Sequence, residues 1–266
     1  MTKNYLLGCD WGTSSFRLRL IQLPDCAVLG EVFSSDGIAP TYTAWQASGV
    51  ERKAFFQSQL KKQIGQLAQQ TGVALYGIHI VISGMASSTI GLCEVPYAQV
   101  PFDLSGSQAV TVRLDATEDF PHPILLISGV RTEHDVMRGE EVQLLGAICA
   151  NLAPSDALLC QPGTHCKWAW MTDGAIARFV TAMTGEMFAL LKKHALIGQE
   201  MTGEISAGDA FADGVRDGAR GDLLASLFGV RPASLLGLRA RADAAAYVSG
   251  LLIGADCAAY AAGQRV

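Results

Sequence analysis

The chain contains one short motif twice, at equivalent places in two similar stretches. Cys-Asp-Trp-Gly-Thr at 9–13 and Cys-Gln-Pro-Gly-Thr at 160–164 agree in three of five residues. Each motif lies between two strand-like apolar segments, so each is predicted to form the first turn of an antiparallel meander. Three matches in five arise easily by chance, but their position at the same turn of two meanders favours a duplicated α/β unit. Such a duplication places two like domains around a cleft.

Apolar periodicity predicts the remaining elements. For the first half we predict strands at 5–9, 16–23, 27–33, 78–82 and 124–127 and a helix at 49–70. For the second half we predict strands at 157–161, 167–171 and 175–181 and helices at 136–150, 186–196, 207–227 and 240–262. Asp173 and Gly174 are typical of a hairpin turn. These elements predict an α/β protein whose helices cover a largely parallel sheet, with domains at 1–135 and 136–266.

Composition and charge exclude several classes of protein. Of the 266 residues, 50% are hydrophobic and 17% are charged, which excludes general disorder. The formal net charge of -5 provides no field for a polyanion, so no nucleic-acid partner is expected. No apolar run is long enough to span a bilayer and the N-terminus lacks a signal-peptide core, so no membrane partner is expected. Seven cysteines without a CxxC pair fit a reducing cytoplasm.

The two Gly-Thr turns have the chemistry of a polyphosphate site. Glycine lets backbone N–H groups approach a phosphate, and threonine adds a hydroxyl donor. The candidate phosphate ligands are Gly12, Thr13, Gly163, Thr164 and Lys167. Asp10 precedes the first turn and is the candidate for holding hydrated Mg²⁺. Two such turns can clamp a phosphate chain from both sides; the alternative is that each is only a hairpin turn.

The densest charge cluster, at 135–143, opens a predicted helix just beyond a strand end. Ligands of α/β proteins bind at such places, because the N–H groups and dipole of the helix point there. Asp135, Glu140 and Glu141 are candidate bases toward a substrate hydroxyl. Arg138 suits an anionic oxygen of the substrate or orients the acid. The alternative is that these acids only favour the helix dipole.

Three smaller features also allow two interpretations. Ser-Gly-Met at 83–85 ends a strand, either to bring backbone close to a ligand or simply to form a turn. Thr184 begins a predicted helix, and its hydroxyl is expected to cap that helix rather than bind substrate. Cys160, His165 and Cys166 match no zinc spacing, so no zinc site is expected.

Six motifs stand in order along almost the whole chain. They are Asp-Trp-Gly-Thr at 10–13 with Arg17, Ser-Gly-Met at 83–85, Val-Met-Arg-Gly-Glu-Glu-Val-Gln-Leu-Leu-Gly at 136–146, Pro-Gly-Thr-His-Cys-Lys-Trp at 162–168, Met-Thr-Gly-Glu at 183–186 and Ser-Gly-Leu-Leu-Ile-Gly at 249–254. In this combination they resemble the 2-dehydro-3-deoxygalactonokinase family, sugar-acid kinases of the actin and hexokinase superfamily.

The resemblance implies both a fold and a reaction. The fold is α/β, with two ribonuclease-H-like, actin-like ATPase domains around a cleft. The reaction is ATP-dependent phosphorylation of 2-dehydro-3-deoxy-D-galactonate at its 6-hydroxyl, with Mg²⁺, in galactonate breakdown. The resemblance places the base in the Glu140–Glu141 pair, because related sugar kinases carry an acid at a similar helix start.

Family members continue beyond the motif at 249–254 into a further strand and an adenosine loop. The resemblance therefore implies that the second domain is incomplete, with an open sheet edge and apolar faces uncovered along Val248, Leu251 and Leu252. Weak ATP binding and self-association, as in a homodimer, are expected from this. Two other functions remain as alternatives: a non-catalytic protein that binds and senses the sugar acid, and a phosphohydrolase of the same superfamily.

Overall fold

The computed structural model describes residues 4–261. The chain divides into two compact units, Met1–Ala153 with Gly174–Ile176, and Pro154–Asp173 with Ala177–Val266. Within the described residues, no helix combines the length and the apolar composition needed to cross a membrane.

The division between the units lies after Ala153, whereas the sequence placed it after Asp135. The difference comes from the helix that starts after Gly139, which packs within the first unit. A Cβ added to Gly139 would lie only 3.0 Å from the Cα of Gly84, at the end of a strand of that unit. The predicted helix at 136–150 therefore belongs with the first sheet and not with the second half of the chain.

In the described part of the first unit, nine strands form two sheets. They are β1 (Asn4–Trp11), β2 (Phe16–Leu23), β3 (Ala27–Ser34), β4 (Ile80–Gly84), β5 (Ala98–Gln99), β6 (Thr111–Leu114), β7 (Ile124–Ile127), β8 (Val130–Arg131) and β9 (Val136–Met137). The larger sheet has the order β3-β2-β1-β4-β7-β6 and the smaller one β5-β8-β9. β1 pairs in parallel with β4, and β4 with β7, but the meander β1-β2-β3 and the pair β6-β7 are antiparallel. The predicted strands are confirmed, while the sheet is mixed rather than largely parallel.

The first unit has three α-helices among its described residues: α1 (Ile38–Gln46), α2 (Arg52–Thr71) and α3 (Glu140–Cys149). The sequence predicted α2, which buries apolar residues at spacings of three and four against the sheet: Phe56, Leu60, Ile64 and Leu67. The carboxylate of Glu51 caps its first turn, and Gly72 ends it with φ of 68°. The prediction missed α1, which contains Pro40 and buries only Ile38 and Thr41.

Side chains of β1 alternate between the two faces of the larger sheet. Leu7, Cys9 and Trp11 are buried in the core with α2. The residues between them therefore lie on the opposite face, which carries Gly8 and Asp10. This alternation places the carboxylate of Asp10 outside the core at the end of β1.

The second unit begins with the second meander. The meander consists of β10 (Ala157–Gln161), β11 (Cys166–Thr172) and β12 (Ala175–Ala182), in the order β10-β11-β12, and the first two residues of β12 are grouped with the first unit. The turn that joins β11 to β12 is the predicted one, with φ of 51° at Asp173 and 75° at Gly174. Both meanders predicted from the duplicated motif are thus confirmed.

Four α-helices follow within the described residues: α4 (Thr184–His194), α5 (Asp209–Gly218), α6 (Leu223–Leu235) and α7 (Arg241–Tyr260). The helix predicted at 207–227, with glycine interruptions, is divided into two helices, because Gly221 adopts a φ of 86° and separates α5 from α6. The predicted helix at 240–262 is confirmed over residues 241–260, and its last predicted residue lies outside the described residues.

Glycines bring α5 and α7 into backbone contact. Gly214 and Gly218 on α5 face Gly250 and Gly254 on α7, and a Cβ added to any of the four would lie 2.1–2.2 Å from a carbonyl oxygen of the other helix. Glycine at two positions four residues apart on each helix leaves a strip without side chains, which allows this approach.

The expected exposed apolar face of α7 is absent from the described residues. Val248 and Leu251 are fully buried and Leu252 is 5% exposed. They share one core with buried residues of α6 and of the connection after α4, including Leu227, Val230, Ile197 and Met201. The expectation was wrong because the chain covers this face of α7 with its own preceding helices.

Candidate functional site

The first Gly-Thr turn is fixed by the helix that follows its meander. The carbonyl oxygens of Gly12 and Thr13 accept hydrogen bonds of 2.9 Å from the backbone N–H groups of Ile38 and Ala39, at the start of α1. No side chain caps α1, so the turn itself satisfies these helix N–H groups. A Cβ on Gly37 would lie 2.4–2.5 Å from the backbone of residues 13–15, which makes this contact specific for glycine.

The second turn is built in the same way within the second unit. The carbonyl oxygen of Thr164 accepts a hydrogen bond of 2.9 Å from the backbone N–H of Glu186, in the first turn of α4. No side chain caps α4 either. A Cβ on Gly185 would lie 2.4 Å from the carbonyl oxygen of Gly163. In both units, therefore, a glycine at a helix start packs on a Gly-Thr turn, and the turn carbonyls point into that helix.

The construction of the turns leaves hydrogen-bond donors at the surface. Thr13, Gly163 and Thr164 are exposed and Gly12 is half-buried. Several carbonyl oxygens of the turns are used by helices α1 and α4, and the N–H of Gly12 already donates to the carbonyl oxygen of Ser15. The hydroxyls and the remaining N–H groups are therefore what the turns offer to an anion.

Asp10 lies beside the first turn in a charged cavity of the first unit. The cavity, of about 470 Å³, is also lined by Arg17, Arg19 and Ser83. The guanidinium of Arg17 is 3.6 Å from the Asp10 carboxylate. Burial raises the pKa of Asp10 from its usual value, and Arg17 and Arg19 oppose this. The carboxylate thus sits among cations, next to the exposed threonine of the turn.

The donor set around Asp10 suits Mg²⁺ rather than a closed protein site. Among residues 4–261, no three His, Cys, Asp or Glu side chains are arranged to hold a metal ion. Magnesium in phosphoryl-transfer enzymes keeps several water ligands and uses one or two carboxylates together with phosphate oxygens. A single carboxylate beside a donor turn fits that requirement.

The two acids at the start of α3 have different environments. The carboxylate of Glu141 is fully buried, its Oε2 accepts a hydrogen bond of 2.7 Å from Gly139 N–H, and its Oε1 has no partner. Burial raises the pKa of Glu141 to about 8. Glu140 is half-buried, and its Oε2 accepts a hydrogen bond of 2.9 Å from Arg138 N–H. Only Glu140 is therefore both held by the backbone and within reach of a ligand.

Gly84 connects this helix start to the first turn. It has a φ of 93°, and a Cβ at this position would lie 2.8 Å from the carbonyl oxygen of Trp11 and 3.4 Å from Oδ1 of Asp10. On its other side Gly84 meets Gly139, whose own φ is 106°. The first unit thus brings Asp10 and the start of α3 together across one glycine, and the close approach at the Ser-Gly-Met motif is between parts of the protein itself.

Two other predicted residues are placed differently. The guanidinium of Arg138 donates hydrogen bonds of 2.6 Å to both oxygens of Ser87 and of 3.2 Å to the carbonyl oxygen of Val95, and it lies 4.1 Å from the ring of Tyr97. It therefore braces a loop instead of presenting its fork to a substrate. Asp135 lies in the turn between β8 and β9, where its Oδ1 accepts from Val136 N–H.

Lys167 and Thr184 also have partners inside the second unit. The ammonium of Lys167 is 4% exposed and donates a hydrogen bond of 3.0 Å to Oγ1 of Thr181. The hydroxyl of Thr184 donates to Oδ2 of Asp256. The predicted capping role of Thr184 is therefore wrong, since α4 is held by the Gly-Thr turn and the hydroxyl serves a carboxylate.

An apolar cavity of about 300 Å³ lies beside the second turn. Its apolar walls include Phe188, Leu252 and Ile253, and Gly163 and Asp256 lie at its border. Burial raises the pKa of Asp256. The sequence reasoning missed Asp256, because an acid in the Ala-rich α7 carries no local signal for a site.

Three comparisons agree on the kind of protein. Residues 10–265 match the model of the 2-keto-3-deoxy-galactonokinase family. The chain is 37% identical over 262 residues to "Probable 2-dehydro-3-deoxygalactonokinase DgoK1" of Rhizobium meliloti (strain 1021), and the aligned region covers 95% of this chain and 79% of that protein. It is 40% identical over 183 residues to the 2-dehydro-3-deoxygalactonokinase of Escherichia coli (strain K12), and the aligned region covers 66% of this chain and 59% of that protein.

A solved structure shows the same fold. A crystal structure assigned to a 2-dehydro-3-deoxygalactonokinase protein from Sinorhizobium meliloti superposes with a TM-score of 0.79 at 33% identity, over 98% of this chain and 83% of that one. A mixed-sheet α/β chain that matches such enzymes along nearly its whole length is a kinase that acts on a sugar acid. The chain belongs to the 2-keto-3-deoxy-galactonokinase family. These matches do not favour the alternative of a non-catalytic binding protein.

Proposed function

We propose that this kinase transfers the γ-phosphoryl group of ATP to the 6-hydroxyl of 2-dehydro-3-deoxy-D-galactonate. The observation that carries the proposal is the like construction of the two Gly-Thr turns, each held by a helix start and each exposing donors. The printed names of the relatives supply the sugar acid, and the turns supply the reason for a polyphosphate donor.

In this proposal each Gly-Thr turn binds phosphate with donors of its own unit. Thr13 with the N–H groups near Gly12, and Thr164 with those near Gly163, donate hydrogen bonds to phosphate oxygens. The apolar cavity beside the second turn offers space for the nucleoside part of ATP. Lys167 adds positive charge near this turn while its ammonium stays bound to Thr181.

Asp10 is the residue we assign to Mg²⁺. When bound, the ion supplies neutralisation of the charge that spreads over the phosphate oxygens during transfer. Asp10 would hold the hydrated ion; burial raises the pKa of its carboxyl, and the guanidinium of Arg17 opposes this effect.

Glu140 is the proposed base. It accepts the proton of the 6-hydroxyl as the bond from that oxygen to the γ-phosphorus forms and the bond from the γ-phosphorus to ADP breaks. Glu141 is unsuited to this role because its carboxyl is fully buried and its raised pKa favours the protonated form near neutral pH. Arg138 and Asp135 then shape the loops around the base instead of touching the sugar acid.

We also propose that the first unit is a ribonuclease-H-like domain of the actin-like ATPase kind. Its five strands β3-β2-β1-β4-β7 combine an antiparallel meander with parallel neighbours, and the first turn joins β1 to β2. The second unit repeats the meander, the turn and the helix that holds the turn. This shared construction supports a common origin of the two units.

A coupled assay of ADP release tests the proposal. We expect ADP release that depends on 2-dehydro-3-deoxygalactonate and proceeds more slowly with its gluconate epimer, and we expect it to be lost in Glu140→Gln. Release of phosphate from ATP without any sugar acid would instead support a phosphohydrolase. Thermal stabilisation by the sugar acid without turnover would support a binding protein.

A further inference from the structure

The two turns differ at one position that the proposed function does not use. The first turn continues Gly12-Thr13-Ser14, and the second continues Gly163-Thr164-His165. The second turn therefore has an imidazole where the first has a small hydroxyl. The side chain of His165 is 49% exposed, on the same surface as the exposed Gly163 and Thr164.

A carboxylate holds this imidazole. Nε2 of His165 is 2.6 Å from Oε2 of Glu186. The backbone N–H of Glu186 is also the group that donates to the carbonyl oxygen of Thr164. One residue of α4 thus fixes both the backbone of the turn and the orientation of its histidine.

Stability alone gives little reason for this pair. An ion pair between half-exposed side chains contributes about 0–1 kcal/mol. A carboxylate on one ring nitrogen, however, fixes the orientation of the ring and leaves the other nitrogen to face a ligand. With Nε2 directed at Glu186, Nδ1 is the nitrogen available to a ligand at the turn. In the imidazolium form Nδ1 is a donor, as an anionic ligand requires.

We propose that His165 is a nucleotide-binding residue whose Nδ1–H donates to a phosphate oxygen of ATP, with Glu186 as its positioning residue. The inference rests on the proposed role of the second turn in phosphate binding. It adds a side-chain donor to the hydroxyl and N–H donors of the turn, and it makes nucleotide affinity depend on a residue of α4 that touches no phosphate.

Two isosteric substitutions separate the ring nitrogens. The amide nitrogen of asparagine occupies nearly the place of Nδ1, and that of glutamine nearly the place of Nε2. We expect His165→Ala and His165→Gln to weaken affinity for the Mg²⁺ complex of a non-hydrolysable ATP analogue about ten- to hundredfold, as for a lost charged hydrogen bond. His165→Asn should retain much of the affinity, and Glu186→Gln should lose about three- to tenfold.

Isothermal titration calorimetry gives these affinities directly, and steady-state assays add the KM for ATP and for the sugar acid. The matched control is His194→Gln, which changes an exposed histidine at the other end of α4. We expect that control to leave both constants unchanged, and we expect the KM for the sugar acid to stay constant in every His165 variant.

The outcomes separate the inference from the proposed function. Unchanged nucleotide affinity in His165→Ala overturns the inference, provided that Thr164→Ala weakens binding. Unchanged affinity in both variants overturns the phosphate role of the second turn itself. Equal losses in the Asn and Gln variants, together with a lowered melting temperature, would show a structural histidine and would also overturn the inference.

Discussion

The glycine contact between α5 and α7 allows a quantitative test of the packing in the second unit. In Gly250→Ala, the new Cβ would lie 2.2 Å from the carbonyl oxygen of Phe211, 2.9 Å from Val215 N and 3.1 Å from the Cα of Gly214. Carbon and oxygen normally approach to about 3.3 Å, so α5 has to move away by about 1 Å. All three contacts are with backbone, so no side chain can rotate aside.

The expected cost follows from two opposing effects. Overpacking of this kind costs about 1–3 kcal/mol, while alanine gains up to about 1 kcal/mol over glycine in a helix interior. We expect the free energy of unfolding to fall by about 2 kcal/mol in Gly250→Ala.

A matched control lies on α6 of the same unit. Gly229 has no atom within 4 Å of an added Cβ, so Gly229→Ala should raise the free energy of unfolding by about 0.5–1 kcal/mol. Urea unfolding, followed by circular dichroism and tryptophan fluorescence, measures both variants. Combining Gly250→Ala with Gly214→Ala should cost less than the sum of the two, because one displacement of α5 relieves both. If Gly250→Ala is as stable as wild type, close backbone packing is not what glycine provides here.

Four further predictions concern the first unit. We expect Asp10→Asn and Thr13→Ala each to lower kcat about tenfold to a thousandfold, with little change in the KM for the sugar acid. Full turnover of either variant at saturating Mg·ATP would contradict the role of that residue in binding the metal or the phosphates. Glu140→Gln should lower kcat about a hundredfold or more while Glu141→Gln changes it little; equal mild losses would exclude Glu140 as the base. Burial raises the pKa of Glu141 from 4.5 to about 8, so between these pH values the folded state keeps a proton that the unfolded chain releases. The free energy of unfolding should therefore fall as pH rises through that range. A plot of melting temperature against pH should be flatter for Glu141→Gln than for wild type over the same range. Arg138→Lys should lower the melting temperature, because lysine cannot keep all three hydrogen bonds of Arg138 to the oxygens of Ser87 and Val95. A raised KM for the sugar acid without any loss of stability would instead indicate that Arg138 contacts the substrate.

The parts of the fold that the sequence predicted are those with strong local patterns. The meanders alternate apolar and polar residues, and α2 repeats apolar residues every three or four positions, so both were found. Helix α1 was missed because its start is fixed by the carbonyl oxygens of Gly12 and Thr13, which are distant in sequence. The break between α5 and α6 could not be located in advance, because the sequence shows several glycines in this stretch but not which of them adopts a positive φ.

The candidate site was predictable in its residue types but not in their roles. The duplicated motif located both turns, because glycine followed by threonine is a local signal. The role of Arg138 was not predictable, since its contacts with Ser87 and Val95 come from a loop without regular pattern. The sequence left both Glu140 and Glu141 as candidate bases, and burial determines which of the two is accessible.

The contacts of Gly84 also have a consequence for motion. Backbone touches Gly84 from both sides, through the carbonyl oxygen of Trp11 and through Gly139, so the first turn and the start of α3 cannot shift independently. Local opening in the first unit must then occur elsewhere, in segments with exposed backbone such as residues 103–109. Amide hydrogen exchange should therefore be slow and similar for Trp11, Gly84 and Glu141, and much faster across that loop. Glu140, the proposed base, and Asp10, the proposed metal-binding carboxylate, would then move as one body.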